Sequence, residues 1–255
     1  METLDVRGIP VEVFTAGSGP PLVYLHAEQF FDCAVPHLEA LAAGRRVIAP
    51  RHPGFGATAL PPDIRSVDDL AYLYLDLLDR LDLRDVVLVG ASLGGWIALE
   101  MCVRDCARLA KLVLVSSVGV KFSGREERDF ADLFYLPDEK AFPLLFADPK
   151  RWAPDYAGLP DEQLVTLARE RQSMAYYCWR PYMHSPGLRN WLHRVRVPSL
   201  LIWGDSDGFA PAAYGRALAQ SLPNAELKII PKAGHYPQIE QPDAVVRAIA
   251  AFARQ

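Results

Sequence analysis

The 255-residue sequence predicts an α/β fold: a mainly parallel sheet with helices on both faces and an inserted helical cap. Two observations carry this prediction. Short apolar runs typical of buried strands alternate with helical patterns through residues 1–117, and again through 196–255. The residues between them, 118–195, combine helical patterns, prolines and many aromatic side chains, and contain no buried strand pattern. We therefore predict a core domain formed by 1–117 and 196–255, with 118–195 as a helical cap, or lid, over the carboxyl edge of the sheet.

The first part of the predicted core begins with two short strands, Leu4–Val6 and Val11–Phe14, on either side of a turn. The elements that follow are a strand at Leu22–Leu25, a helix around Val35–Ala43, a strand at Arg46–Ala49 and a helix that ends near Leu81. Ser66 and Asp69 resemble a capping box at the start of that last helix, and leucines follow at helical spacing.

The second part of the predicted core contains the longest apolar runs of the chain. They predict strands at Val86–Val89, Lys111–Val115, Ser199–Trp203 and Leu227–Ile230, followed by a last helix at Ala244–Ala253. Strands separated by helices in this way favour parallel pairing, because each crossover returns the chain to the same edge of the sheet.

The overall composition excludes several classes of partner. Apolar residues make up 51% and charged residues 23% of the chain, and 27 basic against 31 acidic residues give a net charge of −4. There is no basic patch for nucleic acid, no apolar run near the ~18 residues that suggest a membrane span, and no apolar signal-peptide core. We expect a cytoplasmic monomer or homodimer that acts on a small apolar molecule, without nucleic acid or membrane.

The four cysteines do not predict a metal site. Cys102 and Cys106 lie four residues apart in a helical pattern, a spacing that could place two thiolates on one metal ion. No second Cys or His pair completes a site, so we expect no metal. Together with Cys33 and Cys178 they are expected to be small buried thiols in a reducing compartment.

The most informative motif is G-x-S-x-G at Gly90–Gly94, between a buried strand pattern and a helical one. It is typical of a nucleophile elbow, a tight turn that strains the backbone and lifts a serine hydroxyl to a helix N-terminus. Ser92 is then the nucleophile, and the amide of Leu93 faces a developing oxyanion. Gly90 and Gly94 are predicted where a Cβ would collide with the neighbouring strand or helix.

A serine nucleophile needs a base, and the base needs an orienting acid. His235 is the best-placed histidine, because it follows a predicted strand and precedes the last helix. Two carboxylates on the loop after the preceding strand, Asp205 and Asp207, compete for the role of acid. The order Ser92, Asp207, His235 along the chain matches the elbow architecture.

These motifs resemble the α/β-hydrolase superfamily, in its capped, esterase-like branch, over nearly the whole chain. That family's W-G-x-x-D-x-x-x-P is matched from Trp203 to Pro211, which implies Asp207 as the acid. Its G-H-x-P-x-x-E-x-P is matched from Gly234 to Pro242, and its D-x-x-G-x-G from Arg51 to Gly56, with arginine in place of the aspartate. The resemblance implies a catalytic triad and no cofactor.

The chain departs from the family after the third strand, where His26-Ala27-Glu28 replaces the usual His-Gly. The position implies that the amide of Glu28 is the second oxyanion donor, beside that of Leu93. The Glu28 carboxylate must then turn away or be neutralised, because it would repel an oxyanion. The alternative is that Glu28 lines the pocket and recognises a cationic or hydroxylated substrate.

The resemblance allows several reactions, of which hydrolysis of a carboxylic ester or lactone through an acyl-enzyme fits best. Ser92 disfavours dehalogenases and epoxide hydrolases, whose nucleophile is aspartate, and the large cap disfavours cofactor-free haloperoxidases. Meta-cleavage product hydrolases, which cut carbon–carbon bonds, usually have asparagine and tryptophan where this chain has Ala91 and Tyr236. A non-catalytic ligand receptor on the same fold is the remaining alternative.

The aromatic cap implies an apolar or aromatic substrate, with Tyr176, Tyr177 and Trp179 as candidate contacts.

Overall fold

The computed structural model describes residues 1–29 and 31–255 of the chain. In this part of the chain, eight strands form one sheet in the order β1-β2-β4-β3-β5-β6-β7-β8. The strands are β1 (Glu2–Val6), β2 (Ile9–Ala16), β3 (Pro21–Leu25), β4 (Arg46–Pro50), β5 (Val86–Ala91), β6 (Leu109–Val115), β7 (Ser199–Gly204) and β8 (Ala225–Ile230). The β1–β2 and β2–β4 pairs are antiparallel and the other pairs are parallel, which confirms the predicted sheet.

The helices lie between these strands, close to the predicted positions. They are α1 (Phe31–Leu41), α2 (Val67–Arg80), α3 (Leu93–Arg104), α4 (Asp138–Leu145), α5 (Pro149–Trp152), α6 (Asp161–Cys178), α7 (Leu188–Trp191), α8 (Ala212–Ser221), α9 (Pro237–Glu240) and α10 (Pro242–Arg254). Ser66 caps α2 as predicted, because its hydroxyl oxygen accepts a hydrogen bond from the Asp69 amide at 3.1 Å. No helix in residues 1–29 and 31–255 has the length and apolar character needed to cross a bilayer.

The centre of the core is strand β5 with the helix that follows it. Every residue of β5 is buried, and so is every residue of α3 from Leu93 to Val103. A strand that is apolar on both faces must lie inside a sheet covered on both sides. A helix without a polar face must likewise be buried on all sides, so the β5–α3 turn is held rigidly from every direction.

The segment 118–195 leaves the sheet after β6 and returns to it at β7, and it carries α4 to α7. Its longest helix, α6, is fixed to the core loop 53–56 by three side chains on one face. Ser173 donates to the Gly54 carbonyl at 2.6 Å, Tyr177 donates to a second carbonyl of the loop at 3.1 Å, and Glu170 accepts from a loop amide at 3.2 Å. These bonds close α6 onto the core, while the division into two domains stays a prediction.

The cysteines are less uniformly buried than expected. Cys102 and Cys178 are buried, but Cys33 is exposed and Cys106 is half-buried, so the expectation of four buried thiols was wrong. Cys106 directs its thiol at the Cys102 carbonyl oxygen, 3.1 Å away, one helical turn back. All four are free thiols.

Candidate active site

Ser92 occupies a strained turn between β5 and α3. Its backbone angles, φ 45° and ψ −110°, lie outside the regions that side-chain-bearing residues ordinarily adopt. A Cβ on Gly90 would lie 2.3 Å from the Gly94 carbonyl oxygen, and one on Gly94 would lie 2.1 Å from the Leu25 oxygen. The turn therefore requires glycine at both positions, as the motif predicts, and it presents the hydroxyl at the start of a buried helix.

The hydroxyl of Ser92 lies in a continuous hydrogen-bonded array with His235 and Asp207. The distance from Ser92 Oγ to His235 Nε2 is 2.8 Å, and that from His235 Nδ1 to Asp207 Oδ2 is 2.9 Å. All three residues are buried. Because the carboxylate accepts the proton on Nδ1, Nε2 carries the lone pair that receives the serine proton.

The structure distinguishes the two candidate acids on the loop after β7. Asp207 Oδ1 accepts from the amides of Phe209 and Ala210, at 3.1 and 2.8 Å, which leaves Oδ2 for the histidine. Asp205 is exposed, and its carboxylate accepts from the neighbouring Ser206 hydroxyl at 2.8 Å. The structure therefore brings Asp207, and not Asp205, to His235.

The loop that carries His235 is fixed by the segment inserted between β6 and β7. The His235 amide donates to the Leu145 carbonyl at 2.7 Å. Glu240 accepts from the Gly234 amide at 2.5 Å and from the Ala147 amide at 3.0 Å. The glutamate of the G-H-x-P-x-x-E pattern thus joins the histidine loop to the end of α4, and any displacement of this segment would disturb the base.

Burial and charge act on His235 in opposite directions. Burial lowers the pKa of its imidazole, but the Asp207 carboxylate and, more weakly, Glu28 raise it, so the net pKa lies above the ordinary histidine value. The imidazolium that forms when the serine proton is transferred is therefore stabilised. Because the pKa of His235 is raised, the histidine becomes protonated at a higher pH than an ordinary histidine. Below that pH it cannot accept the serine proton.

We expect kcat/KM for an ester to rise with pH through a midpoint above the ordinary pKa of histidine, about 6.5. Glu28→Gln removes one of the charges that raise the pKa of His235, so the midpoint should move to lower pH in that variant. The measurement is the pH profile of kcat/KM for wild type and variant on the same neutral ester. An unchanged midpoint in the variant would contradict the coupling of Glu28 to His235.

The backbone amides of Leu93 and Glu28 are the predicted oxyanion donors, and their surroundings fit that role. Leu93 is the first residue of α3, so its amide has no acceptor within the helix. Both residues are fully buried, and neither amide has a hydrogen-bond acceptor among residues 1–29 and 31–255. A buried amide without an acceptor is costly, and an anionic oxygen bound there would satisfy two at once. The assignment itself stays a prediction.

A pair of neutral histidines supports the loop that carries Glu28. The rings of His26 and His52 stack with centroids 3.7 Å apart, and the His52 amide donates to His26 Nε2 at 2.8 Å. His52 also bonds the His26 carbonyl and the Tyr74 hydroxyl through its two ring nitrogens. Burial lowers the pKa of His52 to about 4, so the ring is uncharged at neutral pH. No sequence motif assigns this supporting role to His52 or Tyr74.

Arg51 stands where the family pattern has aspartate, and the structure gives it a local role. Its guanidinium lies over the Phe31 ring, 4.5 Å from the centroid. It also lies within 3.7 Å of a Glu12 oxygen and 3.8 Å of a Glu170 oxygen. Arg51 therefore joins strand β2 to helix α6 beneath the loop that α6 contacts.

The Glu28 side chain does not turn away into solvent. It is fully buried, and its Oε1 accepts a hydrogen bond from the Tyr236 hydroxyl at 2.6 Å. Its Oε2 is buried without a hydrogen-bond partner in the described part of the chain. The carboxylate is therefore buried from solvent and has a hydrogen-bond donor on only one of its two oxygens among the described residues. That donor is Tyr236, the residue that follows His235.

A cavity of about 170 Å³ opens beside Tyr236, and its described lining includes neither Glu28, Ser92 and His235 nor the three aromatic residues predicted from the sequence. It is lined by Gln29, Leu133, Phe134, Leu136, Asp138, Ala141, Phe142, Leu145, Arg171, Met174 and Tyr236. Tyr177 is buried and donates to the Pro53 carbonyl, whereas Tyr176 and Trp179 are exposed. Gln29 and Tyr236 were not predicted as substrate contacts. Their positions directly after Glu28 and His235 would have indicated that they lie near the site.

Comparison with known proteins identifies the fold and the family. Residues 13–248 match the model of the alpha/beta hydrolase family. The chain is 31% identical to the dihydrolipoyllysine-residue acetyltransferase component of an acetoin cleaving system from Pseudomonas putida, over 98% of this chain and 68% of that protein. It is 29% identical to a poly(3-hydroxyalkanoate) depolymerase from Ectopseudomonas oleovorans (92% and 84%), and 30% identical to a 2-hydroxymuconate semialdehyde hydrolase from Pseudomonas sp. strain CF600 (91% and 86%).

The overall structure is similar to that of a serine hydrolase involved in carbazole degradation. The TM-score is 0.79 at 22% identity, over 99% of this chain and 98% of the other. At that identity the likeness concerns the fold. The relatives therefore carry the names of an acetyltransferase component, a depolymerase and a semialdehyde hydrolase, so membership of the family does not by itself identify the bond that is cleaved.

Proposed function

The chain belongs to the alpha/beta hydrolase family, and from this premise we propose that it cleaves a small apolar or aromatic carboxylic ester or lactone through an acyl-enzyme. The observation that carries the proposal is the buried array from Ser92 Oγ through His235 to Asp207, with distances of 2.8 and 2.9 Å. A nucleophile in contact with a base that is itself oriented by a carboxylate is the arrangement that acyl transfer requires.

The reaction then proceeds in two halves. His235 accepts the proton of Ser92 as the hydroxyl oxygen attacks the carbonyl carbon, and Asp207 stabilises the imidazolium that forms. The amides of Leu93 and Glu28 bind the oxyanion. His235 returns the proton to the leaving alcohol, and a water molecule repeats the sequence on the acyl-enzyme, which releases the acid and restores the serine.

Carbon–carbon hydrolysis of a meta-cleavage product is the second candidate, and the relatives named for that reaction support it. Against it stand two residues beside the triad. Ala91 offers no side-chain hydrogen bond where those enzymes usually have asparagine, and Tyr236 replaces the usual tryptophan and binds Glu28. These differences favour the ester or lactone substrate.

A panel of p-nitrophenyl esters of graded acyl length, measured beside lactones and a meta-cleavage product, tests the proposal. We propose that the cavity beside Tyr236 holds the acyl chain, and its volume of about 170 Å³ then favours acetyl to butanoyl esters over octanoyl esters in kcat/KM. An initial burst of p-nitrophenol would show the acyl-enzyme and exclude a receptor without turnover. Faster cleavage of the meta-cleavage product than of every ester and lactone would replace this proposal with the second candidate.

A further inference from the structure

The Glu28 carboxylate forms no ion pair among residues 1–29 and 31–255. Glu28 is 0% exposed, and its Oε1 accepts a hydrogen bond from the Tyr236 hydroxyl at 2.6 Å. Its Oε2 has no donor among residues 1–29 and 31–255. A buried carboxylate oxygen without a donor is costly in a folded protein, and an ordered water, an ion or a ligand ordinarily supplies the missing donor.

The charge of the Glu28 carboxylate acts on groups in two elements, the loop that carries His235 and the end of α6. Burial lowers the pKa of His235, and the Asp207 carboxylate and, more weakly, the Glu28 charge raise it. The Glu28 charge also adds to the effect of burial in raising the pKa of Cys178, at the end of α6. Glu28 therefore lies close to both His235 and the end of α6.

The nearby cavity does not supply the missing positive charge. Arg171 is the cationic side chain among its described lining residues, and Arg171 donates to Asp138 at 2.9 Å and to the Tyr156 hydroxyl at 3.1 Å. The rest of the lining is largely apolar and aromatic. Among the described residues no cation pairs with Glu28, so the partner that we consider is a group of the substrate.

The proposed ester hydrolysis indicates which substrate group would pair with the Glu28 carboxylate. An oxyanion bound by the amide of Glu28 lies within a few ångströms of the carboxylate of the same residue, and the two charges repel. A substrate hydroxyl would donate a hydrogen bond to Oε2, but the repulsion between the carboxylate and the oxyanion would remain. An ammonium group satisfies Oε2 and neutralises the charge, so it stabilises the transition state as well as the bound substrate.

We propose that Glu28 is a specificity-determining residue that accepts a hydrogen bond from an ammonium group of the substrate, close to the scissile carbonyl. This inference rests on the proposed ester hydrolysis and narrows its substrate class to amine-bearing esters with an apolar remainder. Tyr236 is the positioning residue, because its hydroxyl holds Oε1 and leaves Oε2 for the ligand.

Three phenyl esters of matched size test the proposal: 3-aminopropanoate, butanoate and 3-hydroxypropanoate, which differ only in an ammonium, a methyl or a hydroxyl group. Wild type and Glu28→Gln are compared by kcat/KM at mildly alkaline pH, above the acidic limb and below the pKa of the amine. Glutamine keeps the shape and can still accept from Tyr236, so charge is the main change. We expect the amino ester alone to lose on the order of 10- to 100-fold in the variant, as when one partner of a buried charge pair is removed.

The controls separate this inference from the function on which it rests. Butanoate kcat/KM should rise in Glu28→Gln, because the charge that repels the oxyanion is removed, so the readout is the opposite response of the amino ester and butanoate. Glu162→Gln, on an exposed position of α6, should leave all three esters unchanged. A loss confined to the hydroxy ester, or equal losses on all three, would overturn the ammonium proposal while ester hydrolysis stands. Turnover of no ester by the wild type, or turnover that survives Ser92→Ala, would contradict the ester hydrolysis itself, and this inference with it.

Discussion

Ser92→Ala is expected to lose ester turnover by a factor on the order of 10³ or more, with the fold intact. The substitution removes one oxygen atom, the one that lies 2.8 Å from His235 Nε2, and no other group in the described site can attack in its place. Alanine also has a Cβ, so the substitution adds no backbone strain at position 92, where φ is 45°. The measurement is kcat/KM on phenyl butanoate, with circular dichroism and thermal unfolding to verify the fold.

Ser116 supplies the matched control for this experiment. It is a buried serine at the carboxyl end of the neighbouring strand, also at positive φ (43°). Its hydroxyl has no hydrogen-bond partner among residues 1–29 and 31–255. Ser116→Ala removes the same oxygen from the same kind of position, and turnover should persist. Loss of activity in Ser116→Ala with full activity in Ser92→Ala would show that the elbow serine is not the nucleophile.

The sequence predicts the sheet and the triad because both depend on local patterns. Strand β5 is a run of apolar residues, the turn at Ser92 needs its two glycines, and His235 and Asp207 follow strands in fixed motifs. Each of these signals lies within about ten residues of the group that it positions. The fold class could therefore be deduced before any contact between distant segments was known.

What the sequence could not predict are contacts between residues far apart in the chain. The Glu28–Tyr236 hydrogen bond joins positions separated by 208 residues, and the His26–His52 stack has no motif of its own. The cavity beside Tyr236 is likewise formed by side chains from separate segments. An aromatic side chain in a helix packs equally well against the core or a ligand, so composition alone did not distinguish Tyr177, which binds a core carbonyl, from Phe142, which lines the cavity.

Asp207→Asn is expected to lower kcat on the order of 10⁴-fold, whereas Asp205→Asn should change it by less than about twofold. The structure explains why asparagine fails at position 207. Oδ1 accepts from the Phe209 and Ala210 amides, so the asparagine carbonyl oxygen takes that place and its NH₂ faces His235. An NH₂ donor beside Nδ1 forces the imidazole proton onto Nε2, and Nε2 can no longer accept the proton of Ser92.

The same exchange at Asp205 has none of these consequences, because that carboxylate is exposed and accepts only from the Ser206 hydroxyl among the described contacts. Both variants change one acidic residue to its amide on one loop, so the net charge and the loop length remain matched. Thermal unfolding of each variant checks that the loop is intact. Greater damage from Asp205→Asn would place the acid two residues earlier than the structure does. Equal damage from both would mean that the loop as a whole, and not the tautomer of His235, limits turnover. The selective loss at Asp207 is expected because only Asp207 combines a carboxylate fixed by two amides with a free oxygen at 2.9 Å from the base.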